Sequence, residues 1–223
     1  MNQQDKNPDY KGMYAYVKKL FERTRHFKHG PFDETFYTMR VYECSKEILE
    51  HVKAKREQVL VASILHDIGK VKLRASRMFG NGHCLPGMGE EWHRHATLGI
   101  PMAQKYLKKQ GHSNKFIEEV CYLIEHHDLR GDKMKGRSTE LKVLQDADII
   151  ADVGFAGFIR PFLFCGKFHK QSIIDSIRFI KGDDRTKEVI NLEVSKKIAQ
   201  REMKIQKMLV DEVSKEIDSD LLG

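Results

Sequence analysis

The stretch Val59-Leu60-Val61-Ala62-Ser63-Ile64-Leu65 constrains the fold of this chain more than any other. It is apolar on every side and runs directly into His66-Asp67-Ile68-Gly69-Lys70. A helix without a polar face has to be buried. The histidine and carboxylate at its end are then expected inside the protein or on the wall of a cleft. A buried carboxylate is costly unless a cation or a set of hydrogen bonds satisfies it. The chain must therefore enclose that helix and bring polar partners to its end.

With 223 residues, one sizeable core is within reach. Periodicity is helical almost throughout. Tyr14, Val17, Leu20 and Phe21 predict a helix over residues 9–27, and Asp33 suits the N-cap of a second through Phe36, Arg40, Val41, Cys44, Ile48 and Leu49. The Val59–Asp67 helix is expected to stop near Gly69, in the manner of a glycine stop. Residues 74–92, with Gly80, Gly82, Pro86, Gly87 and Gly89, read as a long loop of the kind that often carries function. Further helices are expected over His95–Leu107, Asn114–Asp128, Ser138–Asp152 and Ile173–Ile180, with a basic turn at Arg130, Lys133, Lys135 and Arg137. Ile198, Ile205, Leu209, Val213 and Ile217 give the segment 185–221 an amphipathic helical pattern. No strand alternation and no internal repeat stand out. The expectation is an all-α protein: a helical core over 1–183 and a long C-terminal helix over 184–223, packed on that core or forming a homodimer seam.

No stretch approaches the roughly 20 apolar residues that span a bilayer, so no membrane association is expected. Met1 to Lys6 carry no apolar signal region. Cys44, Cys84, Cys121 and Cys165 show no Cys-x-x-Cys pairing and suit reduced, packed thiols. A cytoplasmic protein is the expectation. The net charge of +7 comes from 39 Lys and Arg interleaved with 32 acidic residues, without a dense basic tract. That balance argues against a dedicated nucleic-acid surface and favours encounter with small anionic substrates.

Polar residues recur inside other apolar helical segments: His95, the pair His126-His127, and Asp146 with Asp148. Helix bundles build metal sites from inward-facing histidines and carboxylates on different helices. Nitrogen and carboxylate donors without cysteine suit Mn, Fe, Co, Ni or Zn, with Mg where carboxylates dominate. Ligands dispersed along the chain point to a site with an open position rather than a locally closed finger.

The His66-Asp67-Ile68-Gly69-Lys70 motif resembles the defining motif of the HD-domain metal-dependent phosphohydrolases, and the likeness runs from Phe36 to Phe162. Arg40-Val41, His95 with Gly99, His126-His127 and Ala147-Asp148 fall in the matching order. Asp146 through Asp152, Gly154, Gly157 and Arg160 are similar to a signature of the small stand-alone members. The resemblance implies one or two divalent ions on His66, Asp67 and Asp148, with Asp67 as a bridge. His95, His126 and His127 fall where two-metal members place further ligands. It also implies a catalytic set of His66, Asp67, Lys70 and His95. Phosphate oxygens would be held by Lys70, Arg130 and Arg160, with Arg74 and Arg77 as further candidates. The expected activity is hydrolysis of a nucleotide or another small phosphate ester by a metal-activated water. Two alternatives stay open: a di-iron oxygenase on the same ligands, and a catalytically weak regulatory or binding module.

Three departures qualify the likeness. Tyr37 stands where the family places a histidine ligand, and reads as a core tyrosine; His29 is a remote substitute. The segment Asp128-Leu129-Arg130-Gly131-Asp132-Lys133 replaces the Gly-Tyr-Pro element of the cyclic-dinucleotide branch. Ala151 occupies a position where relatives often carry a further Asp.

Overall fold

The structure, a computed structural model, describes residues 7–24, 34–73, 89–129, 136–164, 166, 172–182 and 190–217. All the regular elements among these are helical. They are α1 (Tyr10–Glu22), α2 (Glu34–Ile48), α3 (Arg56–Leu65), a 3-10 turn (Ile68–Lys72), α4 (Gly89–Gln110) and α5 (Asn114–His126). Then follow α6 (Thr139–Ile150), α7 (Gly154–Phe164), α8 (Ile173–Gly182) and α9 (Glu193–Ile217). Asp33, His29, Arg74, Arg77 and Arg130 lie outside the described residues.

Starts of helices follow local chemistry. Asp9, Ser113 and Ser138 accept from the backbone N–H groups of Gly12, Phe116 and Leu141, which satisfies donors that the first turn cannot pair. Buried side chains fall at helical steps: Met13, Val17 and Phe21 on α1, and Tyr37, Val41, Cys44 and Ile48 on α2. On α3, every residue from Val59 to Leu65 is buried, so this helix is the axis about which α1, α2, α5 and α6 assemble. A smaller apolar cluster of Ile177, Ile180 and Val210, with Phe158 and Phe162, joins α7, α8 and α9. Among the described residues, no helix is long and apolar enough to cross a membrane. Cys44 and Cys121 are free and buried, and burial pushes their thiols up to about 12 and about 11.

Three sequence expectations need correction. Helix α3 ends at Leu65, and the chain tightens into the 3-10 turn before Gly69 is reached. Gly69 is not among the positive-φ glycines, so it is not a left-handed helix stop. A Cβ there would lie 1.9 Å from the His95 carbonyl oxygen and 2.5 Å from the Gly99 nitrogen. Its role is to let the turn lie against α4 with no side chain between. Second, α4 begins at Gly89, inside the stretch read as loop. Third, α7 was not among the expected helices; it falls between those expected over Ser138–Asp152 and Ile173–Ile180. Gly154 does turn the chain, at φ +73°, and a Cβ on Gly157 would sit 2.4 Å from Gln206 Oε1. The glycines therefore draw α7 close to α9.

Candidate metal centre

The buried Val59–Leu65 run of α3 delivers His66 to the centre of the protein, and the tight turn after it folds Asp67 and Lys70 back on the same spot. His66, Asp67 and His127 each offer one ligand atom, all within 4.8 Å of one another, and all three are buried. Asp67 is the hub. Its Oδ1 lies 3.1 Å from His95 Nε2 and 3.9 Å from His127 Nε2; its Oδ2 lies 3.1 Å from His66 Nε2 and 2.6 Å from Lys70 Nζ. Asp148, on α6, places Oδ1 3.4 Å from His66 Nε2.

The three histidines are aimed by one device. His66 Nδ1 donates to the Ser63 carbonyl at 2.8 Å, His95 Nδ1 to Trp92 at 2.6 Å, and His127 Nδ1 to Ile124 at 2.6 Å. In each case the acceptor lies three residues earlier on the ring's own helix. Committing Nδ1–H to a carbonyl leaves Nε2 turned inward with its lone pair, the usual preparation of a metal-ligating imidazole. His95 and His127 then face each other Nε2 to Nε2 at 3.1 Å, and two lone pairs at that separation need a shared proton or a cation. His66 Nε2 is buried and makes no hydrogen bond of acceptable angle. The donor set thus fits a divalent ion of the type that takes imidazole and carboxylate together.

Electrostatics agree. Burial opposes charge on His66, but Asp67 and Asp148 outweigh it and raise the ring to about 10, so without an ion its Nε2 keeps a proton that a bound cation would displace. Burial, with His66 and His95 nearby, pushes His127 down to about 4, leaving it a neutral imidazole. Burial would raise Asp67, yet His66 and Lys70 hold it well below the usual carboxylate range. The two carboxylates therefore demand positive charge beside them, a demand that a divalent cation meets.

A model of the HD domain matches residues 37–152, more than half of the chain. The chain belongs to the HD-domain family. Among solved structures, this HD protein resembles an HD-superfamily hydrolase from Bacillus thuringiensis at 17% identity and a TM-score of 0.63, covering 95% of this chain and 97% of that one. It also resembles a predicted HD superfamily hydrolase from an uncultured Thermotogales bacterium, at 20% identity and a TM-score of 0.57, over 94% and 93% of the two chains. Bacillus subtilis YpgQ in complex with ADP matches at 18% identity and a TM-score of 0.57, over 94% and 95%. None of the curated proteins compared with the chain matches it.

Of the residues singled out in the sequence, the HD fold brings together His66, Asp67, His95, His127 and Asp148. It does not bring His126 to them: its Nδ1 donates to the Tyr122 carbonyl at 2.8 Å and its ring lies against Tyr122. Adjacent helical residues point about 100° apart, so only one of the pair can face inward. Lys70 was expected to hold phosphate, but it is buried. Besides Asp67, its Nζ lies 3.2 Å from each Glu34 oxygen and 4.6 Å from the Trp92 ring centre. Arg160 is buried as well, paired with Asp152 and stacked 4.2 Å from the centre of the Tyr37 ring. Asp146 serves elsewhere: its carboxylate accepts from the Asn191 and Leu192 backbone and from the Asn191 amide, tying down the approach to α9.

Two contributors escaped the sequence. Glu34 is fully buried; burial raises its carboxyl and the Lys70 ammonium opposes that rise. No periodicity marks it, since it precedes the apolar pattern of α2. Tyr37 is more than a core residue: its hydroxyl lies 2.8 Å from both Asp148 Oδ1 and the Asp148 carbonyl oxygen, and donates to that pair.

Proposed function

We propose that this HD protein is a metal-dependent phosphohydrolase acting on a nucleotide or another small phosphate ester. The observation that carries the reading is the convergence of His66, Asp67 and His127 within 4.8 Å, with His95 and Asp148 at their edges. These five side chains would hold the ion. When bound, a divalent ion supplies an acidified water and neutralises charge on a phosphoryl group. The chain's own part is orientation and charge. Backbone carbonyls fix the three rings, Tyr37 fixes Asp148, and Lys70 fixes Asp67. The dry surroundings of α3 strengthen each of these electrostatic contacts. A nucleotide is favoured because YpgQ, which shares the fold, was crystallised with ADP, and because the net charge of +7 favours anionic ligands. A cytoplasmic setting, where nucleotides are abundant, completes the reading.

The test is phosphate release from a panel of nucleotides and small phosphate esters with Mn, Co, Fe, Ni, Zn or Mg added in turn. Release with at least one ion, falling to background in Asp67→Ala while its circular dichroism stays helical, is the expected result. If no ion raises the melting temperature and no substrate yields phosphate, the proposal is wrong.

A further inference from the structure

Helix α5 ends at His126, and the carbonyls of a last helical turn find no partner within their own helix. Helix α6 supplies one. Gln145 is fully buried, and its Nε2 donates to the His126 carbonyl at 3.0 Å and to the Leu129 carbonyl at 2.6 Å. An amide nitrogen has two protons, so both are spent here. The two acceptors stand on either side of His127 in the chain. Gln145 Oε1 in turn accepts from Arg137 Nη1 at 3.3 Å, and the same Nη1 donates to Asn191 Oδ1 at 2.9 Å. The amide is thus held at its oxygen while its nitrogen grips the end of α5.

The place of Gln145 on α6 gives this grip a meaning beyond capping. Residues three apart share a helix face, so Gln145 and Asp148 look the same way, whereas Asp146 turns toward Asn191 and Leu192. Helix α5 rests mainly on α3 and α4 and touches α6 little. Gln145 is therefore a direct polar tie between the helix that carries Asp148 and the turn that carries His127. The bond from His127 Nδ1 to the Ile124 carbonyl aims the ring, but it lies within α5 and moves with that helix. Where the ring stands relative to Asp148 depends on what joins α5 to α6.

We propose that Gln145 is a positioning residue of the metal centre: by gripping the chain on both sides of His127, it sets the separation of that imidazole from Asp148. This rests on the metal-dependent reading above and deepens it by naming what keeps two walls of the site in register.

The test separates positioning from stability. Gln145→Met keeps the length of the side chain and removes both donors. Ser113→Ala removes the N-cap at the far end of α5, and so weakens the same helix away from the grip. Both variants are expected to melt below wild type. Titration of chelator-treated protein with Mn(II) is expected to show about 10-fold weaker binding in Gln145→Met, the low end of the range for lost outer-shell partners, and wild-type affinity in Ser113→Ala. In metal-free protein, the imidazole nitrogen resonances of His127 are expected to shift or broaden in Gln145→Met alone. Should Gln145→Met fail to fold, Gln145→Glu keeps an acceptor for Arg137 and carries the same expectations. An unchanged affinity or an unmoved His127 signal in the Gln145 variant overturns the proposal, as does an equal loss in Ser113→Ala. If wild type binds no Mn(II), the metal-dependent reading fails and the His127 resonances alone decide whether Gln145 sets that ring. Mn(II) binding without phosphate release refutes the hydrolase alone, and the affinity comparison still decides the role of Gln145.

Discussion

Tyr37 shows how much a single side chain can change a centre of this kind. It stands where the family resemblance implies a histidine, and its hydroxyl is given to Asp148. Burial, together with Asp148 and Asp152, raises its phenol well above the ordinary value, so at physiological pH it is a hydrogen-bond donor and not a phenolate ligand. A donor behind a ligating carboxylate fixes its direction, and losing such a partner costs about 10–100-fold in metal affinity. Tyr37→Phe is accordingly expected to weaken Mn(II) binding by that factor in a titration while the ring keeps its packing. Unchanged affinity would show that Asp148 needs no such support. This contact was not legible in the sequence: the partners are 111 residues apart, and a tyrosine at a core position of α2 satisfies the apolar pattern whether or not its hydroxyl has work to do. His66, Asp67, His95 and Asp148 were legible because polar residues that interrupt apolar helical runs are conspicuous.

At the scale of elements, the contact between the 3-10 turn and α4 sets the distance from Asp67 to His95. Gly69 and Gly99 allow it, and a methyl group at residue 69 would collide with backbone, which cannot swing aside as a side chain can. Gly69→Ala is expected to lower stability by about 2–3 kcal/mol, the upper part of the range for overpacking. A thermal melt measures this, and a shift near zero would mean that the turn and α4 separate freely. The same variant should bind Mn(II) more weakly, since the turn carries Asp67 and α4 carries His95. The sequence marked Gly69 but suggested the wrong reason for it. A glycine after a helix usually signals a left-handed stop, and only the neighbouring backbone shows that close approach is the requirement. Helix α7 was not anticipated at all, and its glycines, marked only by a family likeness, serve its packing on α9. By contrast, the apolar run of α3 left one reading open, and its residues from Val59 to Leu65 are all buried.

For the molecule as a whole, α9 is the element that closes the bundle, lying on α6, α7 and α8. Asp146 ties down its approach, and Arg201 makes two contacts with Glu47 of α2, at 2.7 and 3.1 Å. The hydrogen bond from Arg201 holds the Glu47 carboxyl below its ordinary value of 4.5. A carboxyl depressed in the folded state contributes stability above its unfolded value and loses it as pH falls through the folded one. Wild type is thus expected to be more stable than Glu47→Gln at neutral pH, with the gap closing below about pH 4.5 in acid-unfolding curves. A gap that stays constant with pH would remove the ion pair from the account. The way the three imidazoles are oriented has a consequence at this largest scale. Each ring takes its bearing from a main-chain oxygen, three residues back, that any amino acid supplies. The aiming instruction is therefore absent from the alphabet of side chains, and substitution at residues 63, 92 and 124 leaves each acceptor in place. What such drift cannot absorb is a change of count. One residue inserted between 63 and 66, 92 and 95, or 124 and 127 would turn a ring by about 100° and leave the pocket without its nitrogen.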